Sequence, residues 1–327
     1  MKSPVPENNS RSTLSSLYGI VRIVLLAGIF AYLGWQIYLG RETLAALDLH
    51  WNGLELAAGF LSALVAYQCL PGAWMLMLHR AGYFRKKHVG DYVRIWWVSF
   101  LYRYVPGKVL LLVERTRMGV AVEIPAAAGA TLTIIETLLA IVAGSIVSFL
   151  AVAFYAELDH RLQIGVVTII VVAILLVPIV FRRISDLRAI KEKYPSLGSV
   201  AFSHVELVTF VLPYIAHYLL IGLSFFLVSR SVHPFAWADL SGMIGIYALS
   251  HVVSLIAFIA PGGLGVREGV LAVQLARVLP DSIAGALVIG VRLWFVLVEL
   301  ACVLTVLLIC PMSDESKSHS NGPSFNK

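Results

Sequence analysis

Six apolar runs of twenty or more residues constrain the fold of this chain more than any other feature. A helix of about 20 apolar residues is long enough to cross the hydrocarbon core of a membrane. In lipid, the backbone polar groups of a spanning segment must pair with one another, as they do in an α-helix. The sequence therefore predicts an all-α polytopic membrane protein with about six full spans, at residues 18–39, 53–78, 125–154, 162–181, 206–229 and 281–310.

Charged residues are few and lie mainly between these runs. They make up 13% of the chain, against about 25% in soluble domains. Basic residues cluster at 79–94 and 182–193, and the positive-inside rule places both loops in the cytoplasm. This pattern predicts a multi-pass protein of the cell (plasma) membrane with a cytoplasmic N-terminus. We interpret the net charge of +6 as a topology signal, and expect no nucleic-acid partner.

The two ends of the chain are polar. Residues 1–16 and 312–327 are predicted to be disordered tails on either side of one transmembrane domain at 17–311. The C-terminal tail is expected in the cytoplasm if residues 239–260 dip into the membrane and return. If that segment crosses completely, the tail lies outside.

Two Pro-Gly pairs interrupt the apolar sequence where no full span is predicted. Proline removes a helical hydrogen bond, and glycine allows the backbone to turn or to approach a ligand closely. Each pair separates two apolar legs, so we predict two re-entrant hairpins. The breaks are Pro106 and Gly107 in the first hairpin, and Pro261 and Gly262 in the second, followed by Gly263 and Gly265.

The two breaks lie 155 residues apart, from Pro106 to Pro261. The same offset places the span at 53–78 on the span at 206–229, and the span at 125–154 on the last one. Each half therefore consists of a span, a leg, a break, a leg and a span. Because one extra span joins the halves, the second is predicted to be inverted in the membrane. Paired broken segments of this kind indicate the binding site of a transporter.

Residues near the breaks are candidates for binding an anionic head group. A helix that restarts near Leu264 would direct free N–H groups and a positive dipole end towards an anion. Arg267 would add a bidentate donor. The alternative is a tight turn between membrane helices in which Arg267 reaches the interface. The predicted head-group residues are Arg103, Lys108, Gly262, Gly263, Gly265, Arg267 and Glu268.

Ionisable residues within spans are costly and are therefore candidates for function. Arg292 and Glu299 are seven residues apart and share one helix face. The repeat offset places Glu136 beside Arg292 and predicts a contact between them. Such a pair either opens to admit a phosphate or only fixes the register of the helices.

Other polar and aromatic residues allow two interpretations. His217 and His251 lie within spans, where they take part in proton coupling or in hydrogen bonds between helices. Four aromatic residues either line a groove for lipid tails or form an interfacial belt; they are Trp96, Trp97, Tyr102 and Tyr104. The positive-inside rule explains Arg115 and Arg117.

The segments 103–109 and 261–269 together resemble the flippase-like transmembrane family named for the membrane half of the bifunctional lysyl-phosphatidylglycerol synthases. The resemblance covers roughly residues 15–310. It implies a membrane domain that moves lipids with anionic or modified head groups between leaflets; single-domain relatives are thought to handle glycolipids or polyprenyl-linked sugars. No aminoacyl-transfer domain follows residue 310, so lysyl transfer is not expected. Glu136 is followed by Thr137, where many relatives have a longer polar or basic residue, which leaves the partner of Glu136 open.

The leading hypothesis is a lipid flippase or translocase without a catalytic site, metal or cofactor. No G-x-x-x-x-G-K-[ST] motif occurs, so movement is passive or ion-coupled. Its partners are the lipid and, functionally, a lipid-modifying enzyme or glycosyltransferase. One alternative is a secondary transporter of a small polar or anionic solute. Another is a membrane glycosyl or phosphoryl transferase, for which Glu114, Glu268 and Asp281 show no D-x-D or histidine-cluster arrangement.

Overall fold

Every regular element among the described residues is helical. The computed structural model describes residues 35, 38, 52–104, 109–155, 202–257, 263 and 265–310. The all-α prediction is confirmed for this part of the chain. Short 3₁₀ helices lie at Lys86–His88, Tyr102–Tyr104 and Trp237–Asp239. The α-helices are α1 (Gly53–Arg80), α2 (Val89–Leu101), α3 (Val109–Val120), α4 (Ala126–Tyr155), α5 (His204–Arg230), α6 (Leu240–Ile256), α7 (Val266–Leu275) and α8 (Asp281–Ile309).

Five of these helices are long and apolar enough to cross a membrane: α1, α4, α5, α8, and α6 together with the 3₁₀ helix before it. This result fits a multi-pass membrane protein. The predicted spans at 53–78, 125–154, 206–229 and 281–310 each coincide with one of these helices. Those at 18–39 and 162–181, like both predicted tails, lie outside the described residues.

The outer surface of the described helices is unlike that of a soluble protein. Large apolar side chains cover it; Leu308, for example, is 82% exposed. The interior is mainly apolar as well, but it also contains several arginines and glutamates, among them Glu299, which is 4% exposed. Apolar atoms outside and paired charges inside are expected where the surrounding solvent is lipid.

Polar side chains cap the starts of α1 and α5. The Asn52 side chain accepts a hydrogen bond from the Leu54 N–H at 3.1 Å. At α5, the Ser203 hydroxyl accepts from the Glu206 N–H, and the Glu206 carboxylate accepts from the Ser203 N–H at 2.8 Å. Each cap satisfies N–H groups that have no partner within the helix. Short polar sequences thus determine where these two apolar helices begin.

The described elements occur twice in the same order. The series α1, 3₁₀ helix, α2, α3, α4 is followed by α5, 3₁₀ helix, α6, α7, α8; the 3₁₀ helix at Tyr102–Tyr104, between α2 and α3, has no counterpart among the described residues of the second half. The first residues of α1 and α5, at 53 and 204, are 151 positions apart, and those of α4 and α8, at 126 and 281, are 155 apart. The paired outer helices have 28 and 27 residues, and 30 and 29 residues. This order supports the predicted repeat; its inversion in the membrane stays a prediction.

The packing repeats as well. In each half the two short legs pack against each other, α2 on α3 and α6 on α7. The second leg then packs on the last long helix, α3 on α4 and α7 on α8. Between the halves, α1 packs on α5, α4 on α6 and α8 on α2. Exchanging each helix for its counterpart leaves this set of neighbours unchanged, so the two halves face each other through equivalent surfaces.

Gly144 lies where α4 crosses α5 and α6. A Cβ atom there would lie 2.5 Å from Val252 Cγ2 and 2.6 Å from Tyr218 Cζ. These separations are too short for carbon atoms, so the helices reach this distance only because residue 144 has no side chain. Small residues at membrane helix crossings allow such close packing.

We predict that Gly144→Ala destabilises the protein by about 1–3 kcal/mol, because overpacking displaces α5 or α6. The measurement is thermal unfolding of the purified protein in detergent. Gly290→Ala is the matched control, since nothing lies within 4 Å of a Cβ atom at that position in α8. The control should keep or gain stability, by up to about 1 kcal/mol. Equal melting temperatures for the two variants would show that this helix crossing is not tight.

Candidate functional site

A cavity of about 230 Å³ lies between the two halves of the described structure. Seven helices, α1 to α7, contribute to its wall, together with the 3₁₀ helix after α2. Much of the wall is apolar. The residues that bring charge or a titratable group to it are Arg103, Arg115, Glu136, Tyr214, His217, Tyr218, His251 and Arg267.

The start of α7 depends on two glycines in the left-handed backbone region. Gly263 has φ of 71° and Gly265 has φ of 81°, which other residues rarely adopt. Gly263 also lies directly against Ser254 of α6, leaving no room for a side chain. The Gly265 N–H donates to Glu268 Oε2 at 2.8 Å. This turn starts α7 at Val266, two residues after the predicted restart, and places Arg267 in its first turn.

Arg267 is buried, with 6% of its surface exposed, and its side chain lines the cavity. The guanidinium carbon lies 4.5 Å from the centre of the Tyr247 ring and 5.6 Å from that of Phe295. Within the described part of the chain, the guanidinium group makes no hydrogen bond and has no carboxylate at ion-pair distance. Aromatic faces stabilise a buried cation only in part, by about 2 kcal/mol or somewhat more when it is desolvated. A positive charge next to the cavity is therefore left without a counter-ion from the described residues.

Arg115 is the second arginine of the cavity wall, and Glu136 neutralises it. The two side chains form an ion pair between α3 and α4. Trp96 Nε1 donates to Glu136 Oε1 at 2.9 Å, and Arg115 Nε donates to Ser99 Oγ at 2.9 Å. Both partners of this pair thus have further hydrogen bonds from α2, which a buried ion pair requires in order to be tolerated.

The predicted contact between Glu136 and Arg292 is therefore wrong. Helix α3 packs beside α4, so the guanidinium nearest to Glu136 is that of Arg115 in the same half. Arg292 of α8 instead faces Glu268 of α7, with 3.4 Å between Nε and Oε1. These atoms form no hydrogen bond to any described group, so the contact is loose. The equivalent helix pairs, α3 with α4 and α7 with α8, thus each carry one arginine and one glutamate. In the first half the arginine is on the short helix, and in the second half it is on the long one.

Arg103 is the third arginine of the wall, and Glu299 of α8 neutralises it. One guanidinium nitrogen lies 2.5 Å from Glu299 Oε2. The same carboxylate accepts hydrogen bonds from the hydroxyl groups of Tyr67 at 2.5 Å and Tyr104 at 2.8 Å. The guanidinium carbon of Arg103 also lies 3.9 Å from the centre of the Phe100 ring. Glu299 therefore joins α1, the segment after α2, and α8.

The predicted site residues divide into three groups. Arg103, Glu136 and Arg267 line the cavity. Gly263, Gly265, Glu268, Arg292 and Glu299 lie behind this wall: the two glycines and Glu268 hold the turn, Arg292 faces Glu268, and Glu299 pairs with Arg103. The remaining predicted residues, Pro106, Gly107, Lys108, Pro261 and Gly262, lie outside the described residues.

Two interpretations made from the sequence are corrected by burial. Arg115 is buried and paired, so the positive-inside rule does not account for it. Trp96 and Trp97 are almost fully buried, and Tyr104 is also buried, so these three do not form an interfacial belt. Trp96 lines the cavity. A signal for Arg115 exists in the sequence: Arg115 and Arg117, two positions apart on a helix, point in different directions, and only one of them can face water.

The two histidines lie on the cavity wall, where the second half meets the first. His217 Nδ1 is 2.8 Å from the Ala66 carbonyl oxygen, which agrees with the predicted hydrogen bond between helices, here α5 and α1. The His251 ring lies 6.3 Å from the His217 ring, centre to centre. Among the described residues, no cluster of three histidine, cysteine, aspartate or glutamate side chains has the arrangement of a metal site.

Comparisons with protein-family models, with curated proteins and with solved structures find no match to this chain. The family resemblance of the two broken segments therefore stays a prediction.

We predict that Glu136→Gln destabilises the protein by about 3–5 kcal/mol, because it leaves the buried Arg115 without a counter-charge. The double variant Arg115→Gln/Glu136→Gln should recover part of this loss, since neither charge then remains. Thermal unfolding of both variants measures the difference. Arg80→Gln is the control: Arg80 is exposed and its nitrogen lies 3.9 Å from Glu206, so the change should cost no more than about 1 kcal/mol. A double variant less stable than Glu136→Gln would contradict the pairing.

Proposed function

We propose that this protein is a membrane lipid translocase that moves a lipid with an anionic head group between leaflets, without ATP hydrolysis of its own. The observation that carries the proposal is Arg267, a buried arginine that faces a cavity and has no carboxylate partner among the described residues. An isolated charge in a low-dielectric interior is very unfavourable. A bound anion would supply the missing counter-charge and two acceptors for its planar donors.

The rim of the cavity favours a lipid over a water-soluble anion. Val109 and Ile134 line the cavity and are 54% and 52% exposed. Thr137, also exposed at this rim, donates its hydroxyl to the Thr133 carbonyl oxygen at 3.1 Å. The rim side chains therefore offer an apolar surface, suited to acyl or prenyl chains that remain in the membrane while the head group enters.

The arrangement of the two breaks supports a carrier. Arg103 precedes the first break and Arg267 follows the second, and both reach the same cavity. Broken helices from two repeated halves that meet at one site are typical of secondary transporters. On this proposal the two breaks are re-entrant hairpins, and the second half is inverted relative to the first. The resemblance to the flippase-like transmembrane family leads to the same function.

The proposal places the protein in the cell membrane with its N-terminus in the cytoplasm. A translocase moves a lipid that an enzyme must first make, so a lipid-modifying enzyme or glycosyltransferase is its expected functional partner. No catalytic residue is assigned to this chain.

We predict that Arg267→Ala loses at least about tenfold of the anionic lipid that co-purifies with the wild type, because the charge that attracts it is gone. The lipids are identified by mass spectrometry after mild detergent extraction. Arg277→Ala is the matched control, since Arg277 is an exposed arginine ten positions further along the chain. Reconstituted vesicles that contain a fluorescent anionic lipid then test whether movement between leaflets also depends on Arg267.

Equal amounts of the same lipids in wild type and Arg267→Ala would contradict the proposal. If the wild type instead retains only bulk lipid, and inorganic phosphate or a small carboxylate raises its melting temperature in an Arg267-dependent way, the protein is a transporter of an anionic solute.

A further inference from the structure

We propose that the cavity selects head groups that carry a single negative charge, and that Glu299 sets this selectivity by neutralising Arg103. This inference rests on the proposed function, since it specifies the ligand of the same site. It assigns Glu299 the role of a specificity-determining residue, although its side chain lies behind the cavity wall.

The charges of the cavity wall do not cancel. Three arginines line the cavity, and two have a carboxylate of their own: Arg115 pairs with Glu136, and Arg103 with Glu299. Arg267 is the third. The nearby pair of Arg292 and Glu268 adds no net charge. The described groups around the cavity therefore leave one uncompensated positive charge.

A ligand with one negative charge would neutralise the one uncompensated positive charge of the cavity. A phosphodiester is a monoanion, whereas a phosphomonoester carries close to two negative charges above its second pKa of about 6. In a low-dielectric site, a second negative charge without a partner costs far more than it does in water. The cavity should therefore accept a phosphodiester and disfavour a phosphomonoester or a pyrophosphate.

Cavity size agrees with a phosphodiester that carries a further polar group. A cavity needs a volume of about 10–15 Å³ to hold one water molecule. A cavity of about 230 Å³ is therefore much larger than a bare phosphate requires. The rest of the head group must be uncharged, because no other unpaired charge is available in the described wall.

Glu299 controls the balance because Arg103 already lies on the wall. Three hydrogen-bond donors converge on the Glu299 carboxylate: the guanidinium of Arg103 and the hydroxyl groups of Tyr67 and Tyr104. If that carboxylate became a neutral amide, Arg103 would lose its counter-charge without moving away from the cavity. The site would then hold two uncompensated positive charges, and a dianion would fit better.

The experiment measures lipid competition in the full-length protein. Nanodiscs receive equal amounts of dioleoyl phosphatidylglycerol, a monoanion, and dioleoyl phosphatidic acid, a phosphomonoester, in a background of phosphatidylcholine. Retained lipids are counted by native mass spectrometry at pH 8, where an ordinary imidazole is neutral and the phosphomonoester is mostly a dianion. The wild type should retain phosphatidylglycerol at least about tenfold over phosphatidic acid, and Glu299→Gln should lose or reverse this preference.

Two variants separate charge from structural damage. Arg103→Gln/Glu299→Gln removes both charges, so the site returns to one positive charge and phosphatidylglycerol should again be preferred. Glu206→Gln is the remote control; Glu206 caps α5 at the surface, where glutamine can replace it. If Glu299→Gln does not fold, Arg103→Gln alone tests the idea, because it leaves Glu299 to cancel Arg267 and should reduce retention of both anionic lipids.

Each outcome bears on a different claim. Equal retention of the two lipids by the wild type, with binding still lost in Arg267→Ala, would overturn the charge selectivity but leave the translocase proposal intact. An unchanged preference in folded Glu299→Gln would remove Glu299 from the explanation. Retention that does not depend on Arg267 would overturn the proposed function itself.

Discussion

Arginine side chains inside an apolar helical assembly need negative charges close to them, and glutamates provide these for three of the arginines in the described interior. A buried guanidinium cannot lose its charge to escape the cost, as a buried lysine can, because its pKa is too high. Arg115, Arg103 and Arg292 each lie against a glutamate from another element. These contacts join α3 to α4, the segment after α2 to α8, and α8 to α7. Among the buried arginines that the structure describes, Arg267 is the exception, and for that reason the proposed function depends on it.

The repeat explains how one cavity receives charged residues from both halves. Equivalent helices in the two halves have equivalent neighbours, and Arg103 of the first half and Arg267 of the second both line the one cavity. Only the backbone arrangement is repeated. The long helix that ends the first half carries Glu136, whereas its counterpart carries Arg292, and the partners on the short helices are interchanged in the same way. A cavity between two similar halves is therefore asymmetric in charge, and under the proposed function a bound head group would have one preferred orientation.

The described long helices were largely predictable from the sequence, because long apolar runs depend on local physics. The start of α7 followed from Gly263 and Gly265, and the involvement of Arg267 followed from that start. The ion pairs were not predictable to the same extent. The repeat offset suggested Glu136 with Arg292, yet the choice between Arg115 and Arg292 depends on which helix lies beside α4, and that is a matter of tertiary packing. Tyr67 gave no signal, since a tyrosine within a span resembles any other aromatic residue until its hydroxyl is seen on Glu299.

The unequal quality of the two equivalent ion pairs has a consequence for motion. In the first half, Arg115 and Glu136 are in close contact and have further hydrogen bonds; in the second, Arg292 and Glu268 are 3.4 Å apart without one. If the protein is the carrier proposed above, its two similar halves exchange conformations when it reaches the opposite-facing state. That exchange would tighten the second pair and loosen the first. The free energy lost at one pair would be largely recovered at the other, so the two facing states would have similar free energies and a lipid could be carried in either direction.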